Sequence, residues 1–326
     1  MLTESTLAPP RQVAPTKGAT WRIEWMGVMA ITSLVVWLGY IGTHALLSTH
    51  SLGAALSEAR GTMTAPALFI VVAVIFGLER VWPAVSRPAR ARAHVIDASY
   101  FVLFAAVVGP LLVLVETGLA QEIHRYLGAM QLSQLPAVPR LAAALVILAA
   151  IDVTNWACHV ANHKSRTMWR LHALHHSQED MSVFTTFRTH PMVHATYLPA
   201  LLPALFLGAS GTVPAIALIV YGCLVTLPHA NLPWSFGPVG RVLVSPAFHR
   251  LHHETNPTGG KTVNFGFVLT IWDRLARTAR FPVAGVTVTT GIAGRPVPLE
   301  QEVGVPAALV GQLTQPFRRL AATDGA

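Results

Sequence analysis

Eleven histidines lie between His159 and His253, and most of them are spaced as side chains on one helical face would be. His159 and His163 stand at i and i+4. His172, His175 and His176 form H-x-x-H-H, and His249, His252 and His253 repeat it. Between these come His190 and His194, again at i and i+4, and the single His229. Residues at i, i+3 and i+4 of a helix share a face, so each cluster can aim its imidazoles into one space. With 15 histidines in 326 residues, chance predicts about 0.03 occurrences of H-x-x-H-H, yet two are present. His44, His50, His94 and His124 are scattered and read as ordinary loop or helix-end residues.

A neutral imidazole is the commonest protein ligand for iron, zinc and copper. One such ion takes about four to six ligands, so eight to eleven convergent histidines suit two ions. Other metal chemistries fit worse. Cys158 and Cys223 lie in apolar stretches without a C-x-x-C partner, which excludes a disulfide framework or a cysteine-rich zinc site. There is no H-E-x-x-H of a zinc protease, and adjacent pairs such as His175-His176 suit bis-histidine haem badly. A transporter would hold its ligands at bilayer depth, whereas these flank the apolar runs. The residues point to a pair of metal ions at the cytoplasmic membrane face.

The elements that position them must live in lipid. Hydrophobic residues make up 52%, charged residues 12%, and mean hydropathy is +0.50; soluble domains carry about 25% charged residues. So little charge cannot solvate a globular surface, which also excludes intrinsic disorder and argues against nucleic acid as a partner despite a net charge of +8. Met26–Thr43, Gly61–Leu78 and Ala98–Val115 are uncharged runs of 18 residues, near the length a bilayer requires. The first is expected to be a retained anchor. Leu141–Ile151 is apolar and then meets Asp152. Tyr197–Leu227 is uncharged and broken at Gly208-Ala209-Ser210-Gly211, as in a hairpin dipping into the bilayer. Arginine and lysine concentrate in the tail (Arg11, Lys17, Arg22) and in the loop holding Arg80, Arg87, Arg90 and Arg92, placing both termini in the cytoplasm.

The expected architecture is therefore all-α. It is a polytopic membrane bundle of about four spanning helices plus an apolar hairpin, with a cytoplasmic histidine-rich helical cap holding a di-metal site. The expected regions are a disordered tail (1–20), transmembrane helices (21–158), a catalytic region (159–280, hairpin 197–228) and a C-terminal cytoplasmic tail (281–326).

Asp152, near the end of the fourth apolar run, is too far along a helix to bond His159 directly. It either orients a histidine of another cluster or sits among headgroups. Asn162, Glu179, Asp180, Asn231, Glu254, Asn264 and Asp273 are further candidates to support ligands, or are surface and capping residues. Trp156, Trp169, Trp234 and Trp272 are expected at the membrane interface.

From Asp152 to Thr278, about two fifths of the chain, the motifs run D-V-T-N-W-A-C-H-V-A-N-H, M-W-R-L-H-A-L-H-H-S and T-T-F-R-T-H-P. They continue as H-A-N-L, S-P-A-F-H-R-L-H-H, N-F-G-F and I-W-D-R-L. In order and spacing this resembles the fatty acid hydroxylase/sterol desaturase superfamily of integral-membrane, histidine-rich di-iron enzymes. The resemblance implies His159, His163, His172, His175, His176, His249, His252 and His253 as the ligand core of two iron ions. It adds His229 from H-x-N, and His190 from R-T-H-P. Arg188 orients a ligand or contacts a lipid phosphate. His194 follows Val193, where relatives often have an acid, and can stand in for that carboxylate in a catalytic role. Asn155, Val160, Ala276 and Arg277 also depart from the family pattern, which leaves the metal core intact but does not fix the substrate.

The implied activity is O2-dependent hydroxylation of a C–H bond in a fatty acyl, sterol or other isoprenoid substrate. Two electrons must come from a separate redox protein, because the chain has no haem-attachment, ferredoxin or dinucleotide-binding motif. A desaturase on the same substrates is the alternative outcome. A non-enzymatic membrane metal-binding protein, with no reductant-dependent oxygen uptake, is the alternative from a different class.

Overall fold

The computed structural model describes residues 60–86, 92–127, 139–207, 221–283, 285–294, 297 and 303–322. The apolar run Met26–Thr43 and the tail 1–20 lie outside the described residues. What is described is mostly helical and contains no strand, only the isolated bridges Leu243↔Leu269 and Glu254↔Thr290. The helices are α1 (Arg60–Val81), α2 (Arg92–Leu103), α3 (Gly109–Leu127), α4 (Arg140–Lys164), α5 (Arg166–His176), α6 (Leu202–Leu207), α7 (Pro246–His252), α8 (Ile271–Leu275) and α9 (Val305–Ala322). A single π turn, Phe104–Val108, joins α2 to α3, so the apolar run Ala98–Val115 is divided among three elements.

Helix α4 is the long one: 25 residues, about 37 Å at 1.5 Å per residue. Among the described residues, its Ala142–Lys164 stretch is the one helix long and apolar enough to cross a membrane. Of the expected hairpin, residues 208–220 lie outside the described residues. Its first arm is a 3-10 stretch, Pro191–Leu201, leading into the short α6, and Pro199 lies inside it. A proline there removes a backbone donor and disfavours a regular α-helix.

Ser165 makes the corner that matters most for the histidines. Its backbone is extended (φ −86°, ψ 123°), which ends α4, and its hydroxyl accepts from Met168 N–H at 3.4 Å, which starts α5. The last turns of α4 and the whole of α5 therefore face each other across one residue. Ser245 does the same for α7, accepting from Phe248 N–H at 3.2 Å, with Pro246 at the first helical position.

Two apolar clusters flank this unit. One joins Val72 and Ile75 of α1 to Phe101 of α2, Val183, Phe187, Ala230 and Leu232. The other joins Ile96 and Tyr100 of α2 to Leu174 of α5, Val297 and Ala308. Helix α2 thus touches both the loop after α5 and helix α9.

The loop 263–270 is held by two buried acids. Asp152 of α4 accepts from Val268 N–H (3.1 Å), Leu269 N–H (3.0 Å) and the Trp272 indole (2.7 Å). Asp273 of α8 accepts from Phe265 N–H (2.9 Å), Gly266 N–H (2.7 Å), the Trp156 indole (3.2 Å) and the Thr278 hydroxyl (2.6 Å). Trp156 and Trp272 therefore serve as internal donors rather than only as interface markers. Asn264 sits at φ 60°, tolerable for asparagine, and its amide donates to the carbonyls of Phe248 and Arg280, both at 2.8 Å.

Gly266 leaves no room for a side chain: an added Cβ would lie 2.8 Å from the Leu269 carbonyl oxygen and 3.1 Å from an Asp273 oxygen. Gly266→Ala is expected to destabilise the purified protein by about 1–3 kcal/mol. Asp273→Ala, which strands buried backbone donors, should destabilise at least as much, at about 1–3 kcal/mol per donor. Thermal melting of both variants checks this; unchanged melting of either would contradict the close packing of this loop.

Candidate dinuclear metal centre

The histidines of the two boxes, with His159, His163 and His229, meet in two groups. His159, His163, His172, His176 and His252 form one; His175, His229, His249 and His253 form the other. Within each, one ring nitrogen per residue lies within 4.8 Å of all the others. The groups adjoin: the His176 and His253 rings stack with centroids 4.3 Å apart, and His172 lies 5.2 Å from His175.

The spacing of the boxes explains the division. Residues i and i+4 are about 40° apart around a helix, while i+3 is offset from i by about 60° in the other direction. In the first H-x-x-H-H box the i, i+4 pair His172 and His176 enters the five-membered group, and His175 at i+3 enters the other. In the second box the pair His249 and His253 enters the four-membered group, and His252 at i+3 crosses to the five. His159 and His163 add an i, i+4 pair from α4. His229 comes from the 3-10 turn Leu227–His229, packed beside α7.

Several tautomers are fixed by backbone carbonyls, which only accept. His159 Nδ1 donates to the Phe265 carbonyl at 2.9 Å and His252 Nδ1 to the Val263 carbonyl at 2.7 Å. Both rings therefore direct an unprotonated Nε2 into the five-membered group. His159 Nε2 lies 3.1 Å from His172 Nε2. In the other group His229 Nε2 lies 3.0 Å from the Nε2 atoms of both His175 and His249.

These separations fit a shared ion. Two nitrogens about 2.1 Å from one metal, at ordinary coordination angles, are about 3.0–3.4 Å apart. Hydrogen bonds alone do not satisfy the rings either. Neither nitrogen of the fully buried His253 has a hydrogen-bond partner, nor have His163 Nε2, His176 Nε2 and His252 Nε2. Native proteins rarely strand so many buried polar atoms.

Burial also keeps the ligands neutral. It lowers the pKa of His172, His176, His229, His249, His252 and His253 well below 6.5, and neighbouring imidazoles push in the same direction. Burial brings His175 to about 3, against the opposing pull of the Arg188 and Thr185 carbonyls. The five-membered group is walled by aromatic rings: Trp169 lies 5.1 Å from His163, and Phe267 lies 5.1 Å from His159.

The remaining candidates stand further out. His190 lies outside both groups: its Nδ1 accepts from Met192 N–H at 3.2 Å and its Nε2 bonds the Leu313 carbonyl at 3.1 Å. Its extended backbone (φ −66°, ψ 133°), as expected before Pro191, turns it away from a shared face with His194. His194 also lies outside them, 3.3 Å from the Thr189 hydroxyl and against the Phe104 ring, with burial lowering its pKa to about 4. Arg188 is fully buried and pairs with Asp97 at 2.8 Å, so it is not turned to a lipid phosphate. Asp152 accepts its hydrogen bonds from Val268, Leu269, Trp272 and Tyr221 rather than from any of the nine rings. It holds the loop whose Val263 and Phe265 carbonyls orient His252 and His159.

Sequence reasoning did not identify those two carbonyls, nor Asp97 or Glu79. Glu79 accepts from Val183 N–H (2.7 Å) and Asn231 N–H (2.9 Å), fixing the turn beside His229. The N-F-G-F motif was the available signal for the carbonyls; a lone acid in an apolar helix was the signal for Asp97.

Imidazoles in two adjacent groups, carried largely by helices and free of carboxylates, form two clusters that could each hold a metal ion. Residues 144–278, about two fifths of the chain, match the fatty acid hydroxylase family model, the family that the motifs resemble. It is 29% identical over 229 residues to the ornithine lipid hydroxylase OlsE of Rhizobium tropici, covering 70% of this chain and 65% of that protein. It is 29% identical over 137 residues to an alkylglycerol monooxygenase of Caenorhabditis elegans (39% of this chain, 25% of that one). The human alkylglycerol monooxygenase is 29% identical over 129 residues (38% and 28%). The chain thus spans just under two thirds of the bacterial relative and about a quarter of the animal ones. No solved structure matches.

His252→Ala is expected to lower bound metal and abolish turnover, whereas His194→Ala keeps its metal and only slows turnover. Metal analysis beside oxygen uptake separates them; equal metal loss would make His194 a ligand. The metal-free protein should also be acid-labile. Histidines with folded pKa values below 6.5 bind protons more readily when unfolded, so stability is present above about 6.5 and falls as pH drops toward the folded values. Melting of the metal-free protein that is flat from pH 7 to about 4 would contradict neutral burial of these rings.

Proposed function

We propose that this chain is an integral-membrane di-iron hydroxylase that inserts oxygen into a C–H bond of a lipid-like substrate, fatty acyl, sterol or other isoprenoid. The observation that carries this reading is the pair of buried all-histidine groups, five and four, in a domain of this family. The names of the relatives point the same way: one is a hydroxylase of an ornithine lipid, the others are monooxygenases of alkylglycerols.

His159, His163, His172, His176 and His252 would hold one ion; His175, His229, His249 and His253 would hold the other. Iron bound there would supply dioxygen activation strong enough for an unactivated C–H bond. The overall reaction consumes two electrons and two protons, places one oxygen atom in the substrate and releases the other as water. The protein's part is to keep the nine ligands neutral and to aim His159 and His252 through fixed carbonyls. An uncharged ligand set favours the divalent state of a metal. The aromatic walls of Trp169, Phe265 and Phe267 exclude water. Asp152, Arg188 and His194 are assigned supporting roles behind the ligands, and His190 a structural one.

Membrane residence is supported by the outer surface. Leu114 is 68% exposed, Val102 60% and Leu145 58%, on helices α3, α2 and α4. Large apolar side chains left uncovered on three helices suit contact with lipid. In this reading α1, α2–α3, α4 and the run Met26–Thr43 cross the bilayer, residues 197–228 dip into it, and the histidine cap and both termini face the cytoplasm. A separate electron-transfer protein docks there.

The test is lipid analysis of cells with and without the gene, under isotopically labelled dioxygen. A lipid that gains one labelled oxygen atom only when the gene is present is the expected outcome. Loss of two hydrogens without oxygen gain would make the protein a desaturase. No change in any lipid, together with no reductant-dependent oxygen uptake by the purified protein, would leave a metal-binding protein and refute the enzyme.

A further inference from the structure

Behind the histidines lie two separate anchoring networks. The Asp152–Asp273 network holds the loop whose carbonyls orient His159 and His252, both of the five-membered group. The second network centres on Asp97, in α2, outside the family-matched segment 144–278. Resting on the dinuclear reading above, we propose that Asp97, through its buried ion pair with Arg188, is the positioning residue for the four-histidine group.

Asp97 and Arg188 side chains are both 0% exposed, and Arg188 Nη1 donates to Asp97 Oδ1 at 2.8 Å. Asp97 Oδ2 accepts from Gln178 Nε2 at 2.8 Å and from the Thr185 hydroxyl at 3.3 Å. All three donors lie on the stretch that leaves α5 directly after His175 and His176. The guanidinium also returns to the box itself: Arg188 Nε donates to the Ser177 hydroxyl at 3.2 Å, which donates to the Leu174 carbonyl at 2.7 Å. One carboxylate therefore closes both ends of the segment 177–188 onto the C-terminal end of α5.

His175 is the ligand this closure reaches. Ser177, held by Arg188, ties down the Leu174 carbonyl one residue before it. At the other end of the segment Thr186 donates to the Thr226 carbonyl at 3.3 Å, while Val183 and Phe187 pack against Ala230 and Leu232, beside His229. His175 Nε2 in turn meets His229 Nε2 at 3.0 Å. Orienting His175 thus orients the contact through which its group closes. A fully buried ion pair is not needed for stability alone, since apolar pairs of similar volume commonly serve as well. Here its donors all belong to the segment that joins the end of α5, with His175, to the turn that carries His229, which is what a positioning role requires.

The test uses the full chain, purified in detergent and reconstituted anaerobically with ferrous iron. Wild type is compared with Asp97→Asn, with the double variant Asp97→Leu/Arg188→Met, and with His249→Ala and His252→Ala. Readouts are iron per chain, the X-ray absorption spectrum of the iron and the melting temperature. Asp97→Asn should fall to about one iron per chain, with the spectrum of His249→Ala rather than that of His252→Ala. The double variant should regain the wild-type melting temperature but not the second iron. Full iron in the double variant would show the pair to be merely structural and overturn the proposal, as would equal loss of both ions in Asp97→Asn. If neither His249→Ala nor His252→Ala changes the iron content, the dinuclear reading itself fails and the proposal falls with it.

Discussion

Nine imidazoles share a water-excluded space, and each must stay neutral with one lone pair aimed inward. That constraint governs the rest of the structure. A charged ring would be expelled by desolvation and by its neighbours, and a ring free to rotate would bond an adjacent nitrogen instead of waiting for a metal. Neutrality follows from burial, which lowers the pKa of every ligand from His172 onward. For two rings direction follows from a backbone carbonyl at the far nitrogen: Val263 for His252 and Phe265 for His159. Metal-bound histidines generally need such an acceptor. Carbonyls meet that need without adding negative charge.

The acids stand one layer further back. Asp152 and Asp273 accept from the backbone and indole donors of the loop that presents those carbonyls, and Glu79 and Asp97 do the same for the segments near His229 and His175. This division keeps every carboxylate off the metal groups while still using its strong hydrogen bonds to fix the frame. The angular offset between i+3 and i+4 carries the i+3 histidine of each box to the other group. The two ions then share two helices, and neither group can form with α5 or α7 displaced.

The boxes were legible in the sequence because helical spacing is local: His172, His175 and His176 share a face wherever α5 packs. His190 and His194 have the same i, i+4 spacing but not the same geometry, because Pro191 holds His190 extended and a 3-10 stretch follows. How the boxes divide between two groups was not legible, since it depends on where α4, α5 and α7 meet. Nor was Asp152's role, whose partners lie 116 to 120 residues further along the chain, or that of Asp97, paired with a residue 91 positions away. The all-helical character was readable from composition. The number of spans was less so: the π turn Phe104–Val108 interrupts a run that looks continuous in sequence, and α4 alone among the described residues meets the length and apolarity of a crossing.

The departures from the family pattern at Asn155 and Val193 fall around the two histidine groups rather than in them. Asn155 donates to the Tyr221 hydroxyl at 2.9 Å, and that hydroxyl reaches Asp152 at 3.4 Å, so the change is absorbed by the anchoring network. The central claim is that two ions are held by histidine alone. X-ray absorption of the iron-loaded full-length protein tests it most directly. The account predicts a nitrogen-only first coordination sphere with imidazole outer scattering, at about 2.0–2.2 Å, and a second iron for every first. A short oxygen contribution from a protein carboxylate, a sulfur contribution from Cys158, or a single iron per chain would contradict it.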